Sequence, residues 1–125
     1  MLMPKRDPRD LLPLTPAMLH VLLALVDGEK HGYAIIKDVS RRTKGDVAIG
    51  AGTLYALIKR LLADGLIVES SERPDPSLDD ERRRYYRLAA FGRAVAAAEI
   101  ERLETLVAHA RALRLRPARA ARSES

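Results

Sequence analysis

Hydrophobic residues recur at two different periods along the chain, and the change of period divides it into elements. From residue 14 to residue 65 they recur mostly every three or four positions, which is typical of helices. Residues 66–68 then form a short apolar run and residues 83–88 alternate, which is typical of two strands joined by a long polar tip. From about residue 90 the helical period returns and continues to residue 115. We therefore predict three helices, a β-hairpin and a long last helix.

The first two helices have recognisable starts. Thr15 is a suitable N-cap with Pro16 at the first helical position, and residues 17–26 are so apolar that we expect burial on most sides. The second helix follows His31 and carries Tyr33, Ile36, Val39 and Ser40 at helical spacing, with Lys37, Asp38, Arg41 and Arg42 elsewhere on its surface. A polar segment, residues 44–46, closes it.

The third helix, predicted over residues 52–63, has two unlike faces. Its buried face is predicted to consist of Leu54, Leu57, Ile58, Leu61 and Leu62. The opposite face centres on Ala56, flanked by Gly52, Lys59, Arg60 and Ala63, with Thr53 and Tyr55 along its edges. Side chains this small would let a helix backbone approach a partner closely. Asp64-Gly65 supplies the stop.

The last helix carries an apolar stripe that one chain of this size is not expected to cover alone. Ala96, Ile100, Leu103, Val107 and Ala110 occupy a and d positions, and Leu106 and Leu113 widen the stripe. We interpret these seven residues as a homodimer interface.

Composition narrows the possible partners and the compartment. The 125 residues carry a formal charge of +5, which favours an acidic partner such as a phosphate backbone or an anionic membrane surface. The absence of cysteine excludes disulfides and thiolate metal sites. No apolar run approaches the roughly 18 residues of a membrane span. We expect a cytoplasmic protein with no membrane partner.

Enzyme chemistry has no candidate constellation. His20, His31 and His109 lie on separate elements without metal-ligand spacing, and residues 79–81 form an acidic run in a loop. Gly50-x-Gly52 lacks the rest of a nucleotide-binding fingerprint. We therefore assign no catalytic residue, no metal and no cofactor.

Three helices, a hairpin and a basic balance describe a mainly α fold: a winged helix-turn-helix followed by a C-terminal dimerisation helix. In that arrangement the third helix enters the major groove of double-stranded DNA. The predicted DNA-contacting residues are Lys44, Gly52, Thr53, Tyr55, Ala56, Lys59, Arg60, Arg82, Arg83 and Arg84. Each basic cluster taken alone could equally be a solvated surface, and the order of the elements is what favours DNA.

The chain resembles the PadR family of bacterial transcriptional regulators. The resemblance lies in LTPAMLHVLLAL (residues 14–25), HGYAIIKDV (31–39), GTLYALIKRLLADGLI (52–67) and RRRYYRLAAFGRA (82–94). It implies a winged-helix repressor that dimerises through its last helix, binds a roughly palindromic operator and often releases it when a small-molecule effector arrives.

Two departures from the family pattern concern helix starts. Gly50-Ala51 stands where the family commonly has Ser-Pro, and Ala89 stands where it often has threonine. The hairpin tip is also acidic, with Asp75, Asp79, Asp80 and Glu81, and we expect it to lie clear of a phosphate backbone.

The predicted organisation has four parts. Residues 1–13 are a flexible arm, residues 14–89 the winged helix-turn-helix, residues 90–116 the dimerisation helix, and residues 117–125 a disordered basic tail. The competing hypothesis is a winged helix that binds another protein, and not DNA, through the same small-residue face. A cleft between the last helices and residues 17–26 is a candidate effector site, and a filled core without a pocket is an equal alternative.

Overall fold

The computed structural model describes residues 6–70 and 84–117. In this part of the chain there are four α-helices and three short strands. The helices are α1 (Pro16–Ala24), α2 (Gly32–Arg42), α3 (Ala51–Ala63) and α4 (Ala90–Ala112), and the strands are β1 (Lys30–His31), β2 (Ile67–Glu69) and β3 (Tyr85–Leu88). The predicted mainly α winged helix-turn-helix with a long last helix is confirmed.

The strands form one antiparallel sheet in the order β1-β3-β2. Strands β2 and β3 are the predicted hairpin, in which Ile67 lies opposite Leu88 and Glu69 opposite Tyr86. Strand β1 was not predicted; it pairs with the other edge of β3 and places His31 opposite Tyr85. The hairpin tip, including the acidic residues expected to avoid DNA, lies outside the described residues.

The core lies where the three N-terminal helices and the start of α4 meet the sheet. Its fully buried side chains include Val21, Leu22, Ile35, Leu54, Leu61, Leu66, Ile67 and Val95. As predicted, Thr15 caps α1, and its hydroxyl oxygen accepts a hydrogen bond from the Met18 amide at 3.1 Å. None of the described helices is long and apolar enough to cross a membrane.

The buried face of α2 differs from the predicted one. Ile35 and Val39 are buried, whereas Tyr33 is 59% exposed. Asp38 was expected at the surface but is only 4% exposed. Its two carboxylate oxygens accept hydrogen bonds from Arg41 at 2.6 Å and from Arg42 at 2.7 Å. A carboxylate with two guanidinium partners can be buried, and hydrophobic spacing alone does not show this.

The N-terminal segment is ordered where a flexible arm was expected. Pro8–Leu11 form a 3₁₀ helix that packs against α4, so the expectation of a structureless arm is wrong for these residues. Arg6 Nη1 donates a hydrogen bond to the Asp64 carbonyl at 2.7 Å, and its guanidinium lies 4.3 Å from the centre of the Phe91 ring. These contacts fasten the segment across the end of α3 and the beginning of α4.

A candidate nucleic-acid interface

Helix α3 separates its two faces as the sequence predicts. Leu54, Ile58 and Leu61 are buried, and Leu57 and Leu62 pack half-buried against the core. The other face is exposed along its whole length and consists of Ala51, Gly52, Thr53, Ala56, Lys59, Arg60 and Ala63. We call these seven residues the outer face of α3. It offers a partner small side chains and two cationic groups.

No contact among the described residues requires a glycine at position 50 or 52. A methyl group built on either residue meets no atom within 4 Å, and neither has a positive φ angle. Gly50 is a moderate N-cap, whereas a glycine inside the helix at position 52 costs up to about 1 kcal/mol relative to alanine. The small size of position 52 is therefore explained better by something that approaches α3 from outside than by packing within the chain.

The first turn of α3 has no side-chain cap. Gly50 is the N-cap residue, and no side chain accepts a hydrogen bond from the amides that follow it. Exposed helix N-termini favour an anionic acceptor because their free amides and the helix dipole act together. With Gly50-Ala51 at the place of Ser-Pro, no side chain caps the first turn of α3, and its backbone amides are open to a partner.

Lys44 lies in the turn between α2 and α3 in an unusual backbone conformation. It is exposed and has a φ of 53°, the left-handed region in which glycine is usually found at a helix C-terminus. The turn closes through hydrogen bonds from the Lys44 amide to the Arg41 carbonyl at 3.2 Å and from the Gly45 amide to the Ser40 carbonyl at 2.8 Å. A lysine at this position places a cation in the turn between α2 and α3 at the cost of backbone strain.

Tyr55 is not a freely exposed member of the predicted site. It is half-buried, and a methyl group on Gly32 would lie 3.2 Å from its hydroxyl oxygen. The ring therefore packs against the first turn of α2. Tyr55 is thus a contact between α2 and α3, and only part of its surface is available to a partner.

The basic residues of the hairpin divide into two groups. Arg82 and Arg83 lie outside the described residues. Arg84 is half-buried, and its Nε lies 3.5 Å from a carboxylate oxygen of Glu69 on the neighbouring strand. Part of the charge of Arg84 is thus balanced by Glu69, whereas Lys44, Lys59 and Arg60 are exposed and form no ion pair with the described residues.

His31 connects the sheet to α2, and sequence spacing identified it only as a helix-start residue. Its Nδ1 accepts a hydrogen bond from the Ala34 amide at 3.1 Å, so it is the N-cap of α2 with an unprotonated Nδ1. Its ring meets the Tyr85 ring edge-on at 5.5 Å. His31 is therefore a structural residue. In the described residues, no three His, Asp or Glu side chains lie together as metal ligands.

The predicted dimer stripe changes its surroundings along α4. Ala96 is 5% exposed and packs in the core of its own chain, so it offers little surface to a second copy. Farther along, Leu103 and Ala110 are half-buried, and the remaining four residues are exposed: Ile100, Leu106, Val107 and Leu113. The stripe that the first half of α4 buries on its own chain continues uncovered over the second half.

Glu99 marks the boundary between these halves, and hydrophobic spacing did not identify it. It is 2% exposed, and its carboxylate accepts hydrogen bonds from the Leu14 amide at 2.9 Å and from the Arg102 guanidinium. The Arg102 hydrogen bond, together with the Leu14 amide, lowers the pKa of this carboxyl group against the opposing effect of burial. Glu99 thereby joins α4 to the residue that precedes the cap of α1.

Comparisons with known proteins agree with this geometry. The model of the transcriptional regulator PadR-like family matches residues 21–98. Transcriptional regulator Rv3488 of Mycobacterium tuberculosis is 38% identical over 88 residues, which is 70% of this chain and 76% of that protein.

Two solved structures share the fold. Bordetella bronchiseptica BpsR, whose DNA binding is regulated by 6-hydroxynicotinic acid, is 26% identical with a TM-score of 0.58 over 82% of this chain and 66% of that one. Bacillus subtilis PadR in complex with operator DNA is 19% identical with a TM-score of 0.60 over 70% of this chain and 48% of that one, a likeness of fold alone. This chain belongs to the PadR-like family of transcriptional regulators.

Proposed function

We propose that this protein is a homodimeric repressor that binds a roughly palindromic operator through the outer face of α3. The observation that carries the proposal is the occurrence of Gly52, which no contact among the described residues requires, on an exposed and basic helix face. Small side chains allow the helix backbone to enter the major groove, and Lys44, Lys59 and Arg60 supply phosphate contacts. The operator complex of Bacillus subtilis PadR supports this use of the shared fold.

The dimer sets the spacing of the two recognition helices. The second half of α4 leaves Ile100, Leu106 and Val107 exposed, and a second copy of the chain would cover them. Two copies related by a two-fold axis present their α3 helices to successive major grooves about 34 to 36 Å apart. Repression then follows from occupation of the operator, and a small organic effector would act by changing this spacing. The regulated DNA binding of BpsR supports the effector part of the proposal.

Substitution Gly52→Ala tests the role of the outer face. The added methyl group meets nothing in the protein, so the stability is expected to stay the same or rise slightly. Operator affinity is expected to fall about tenfold or more, the size of one lost base contact. Ala94→Ser is the matched control, because it adds one heavy atom at an exposed position of α4. Equal operator affinity of Gly52→Ala and the unaltered protein would contradict the proposal.

The operator itself is obtained by selecting genomic fragments that the full-length protein retains. Titrations of a selected fragment at increasing salt then measure phosphate contacts, and Lys59→Ala is expected to lower the slope by about one counterion. Arg116→Ala, which removes an exposed cation beyond the end of α4, is expected to leave the slope unchanged. A protein that retains no DNA even at low salt would favour the protein-binding alternative. Transcription from a template that carries the selected operator is then measured with and without the protein. A fall in transcript yield indicates repression, and a rise indicates activation.

A further inference from the structure

The exposed half of α4 carries charges as well as apolar residues, and their order along the helix is informative. A shallow groove on this helix is lined by Ile100, Leu103, Glu104, Val107, Ala108 and Arg111. Val107 and Ala108 lie at its centre, with Glu104 toward the N-terminal end and Arg111 toward the C-terminal end. Glu104 and Arg111 are seven residues apart, so they lie on the same side of the helix, about 10 Å from each other.

These two charges distinguish the possible pairings of two copies. In a parallel pair, Glu104 of one helix would lie beside Glu99 of the other and Arg111 beside Leu106, so neither charge would meet an opposite one. In an antiparallel pair, each Glu104 faces Arg111 of the second copy, and a two-fold axis passes near Val107 and Ala108. The same surface then complements itself, as an interface between identical subunits requires.

The apolar residues agree with the antiparallel arrangement. Ile100 and Val107 occupy a positions, Leu103 and Ala110 occupy d positions, and Glu104 and Arg111 occupy the e positions of two successive heptads. In antiparallel helix pairs the e positions of the two helices lie beside each other along one flank of the apolar seam. The other flank, formed by Leu106 and Leu113, is apolar and exposed.

We propose that the two α4 helices pair antiparallel and that reciprocal Glu104–Arg111 ion pairs fix their register. This inference rests on the proposed homodimer and adds the direction and register of its interface. The partner is a second copy of this chain. The charges select the arrangement, because reversing either one places like charges together twice in each dimer, whereas the apolar seam supplies most of the affinity.

Charge exchange between the two positions tests the register. Glu104→Arg and Arg111→Glu are each expected to raise the dimer dissociation constant about tenfold or more, as measured by sedimentation equilibrium of the full-length protein at low salt. The double variant Glu104→Arg/Arg111→Glu is expected to return to within about threefold of the unaltered protein, because opposite charges face each other again. A mixture of the two single variants should form heterodimers in preference to homodimers.

The control is Glu101→Arg, which makes the same charge change at an exposed position of α4 outside the groove. It is expected to leave the dimer unaffected. If the unaltered protein is a dimer but the single reversals weaken it no more than Glu101→Arg does, or the double variant is not restored, the proposed register is wrong and the homodimer stands. If the unaltered protein is monomeric at all concentrations tested, the homodimer and the register fail together.

Discussion

The first turns of α3 and α4 are alike in sequence and opposite in environment. Each helix begins without a side-chain cap, and each has a glycine within its first three residues, Gly52 in α3 and Gly92 in α4. A methyl group on Gly52 would meet nothing within 4 Å, whereas one on Gly92 would lie 1.9 Å from the Leu66 carbonyl oxygen. A close backbone contact therefore requires the glycine in α4, whereas the glycine in α3 leaves an open surface.

The two uncapped starts are also completed differently. The Ala89 amide at the start of α4 donates a hydrogen bond at 3.0 Å to the carbonyl of Leu66, the residue before β2, so the backbone next to the sheet anchors this helix. Gly50 at the start of α3 is exposed and has no corresponding contact from a side chain. A helix start that the fold leaves open is a suitable place for a phosphate group, which supports the proposed DNA interface.

The largest expected effect is the difference in stability between alanine substitutions at Gly92 and at Gly52. Gly92→Ala places a methyl group against the backbone of Leu66, which cannot move without shifting β2, and should lower the free energy of unfolding by about 3 kcal/mol. Urea denaturation of Gly92→Ala and Gly52→Ala measures both at once. Equal midpoints for the two variants would contradict the assignment of one glycine to the fold and the other to a partner.

The anchorage of α4 also depends on the ionisation of Glu99. Because folding lowers the pKa of this carboxyl group below its ordinary value of 4.5, its contribution is fully present above about pH 4.5 and is lost as the pH falls through the lower folded-state value. Glu99→Gln keeps an acceptor for the Leu14 amide but loses the charge that faces Arg102, a cost of about 2 kcal/mol at neutral pH.

Denaturation of Glu99→Gln at a series of pH values checks this expectation. The difference in stability between the variant and the unaltered protein should shrink below pH 4.5. Glu101→Gln, at an exposed position on the same helix, provides the control. A difference that stays constant down to acid pH would show that the ion pair is not its source.

A smaller effect concerns the strained turn beside α3. Lys44→Gly relieves the left-handed conformation and should raise the stability by about 1 kcal/mol, while it weakens operator binding and lowers the salt slope. Arg114, at the end of α4, has a φ of 63° and is the matched control, because Arg114→Gly relieves similar strain far from α3 along the chain. Comparable losses of operator affinity in both variants would argue against a specific role for Lys44.

The smallest effects come from restoring the missing caps. Ala89→Thr should stabilise the protein by about 1 kcal/mol, since alanine is a poor N-cap. Gly50→Ser should add only about 0.3 kcal/mol, because glycine already serves as a moderate N-cap. Thermal unfolding resolves the two values. A larger gain from Gly50→Ser would mean that the open start of α3 is more strained than its geometry indicates.

Local signals made most of the fold predictable. Thr15 and Gly65 mark helix ends through contacts within a few residues, and both act as expected: Gly65, with a φ of 75°, closes α3 through a hydrogen bond from the Leu66 amide to the Leu61 carbonyl at 2.9 Å. Strand β1 was missed because two residues carry no alternating pattern, and its pairing with β3 is a long-range contact. The ordered segment at Pro8–Leu11 was missed because residues far along the chain hold it.

The candidate site was predictable to a similar extent. The outer face of α3 follows from helical geometry, and its residues are exposed as expected. The half-buried state of Tyr55 depends on Gly32 of another helix, which spacing within α3 does not reveal. Ala96 and Val107 belong to the same heptad pattern, but Ala96 is buried in its own chain and Val107 is exposed. The pattern does not indicate where along α4 this change occurs. Glu99, two turns before Val107, marks that point through a contact 85 residues away.

The position of Arg6 has a practical consequence for work with this protein. Its side chain spans the end of α3 and the Phe91 ring at the start of α4, so the N-terminal segment touches both helices compared above. A truncation that removes Arg6 therefore takes away contacts with α3 and α4 together. Binding and assembly measurements are best made with Arg6 and the segment around it unaltered, and with any tag at the C-terminal end.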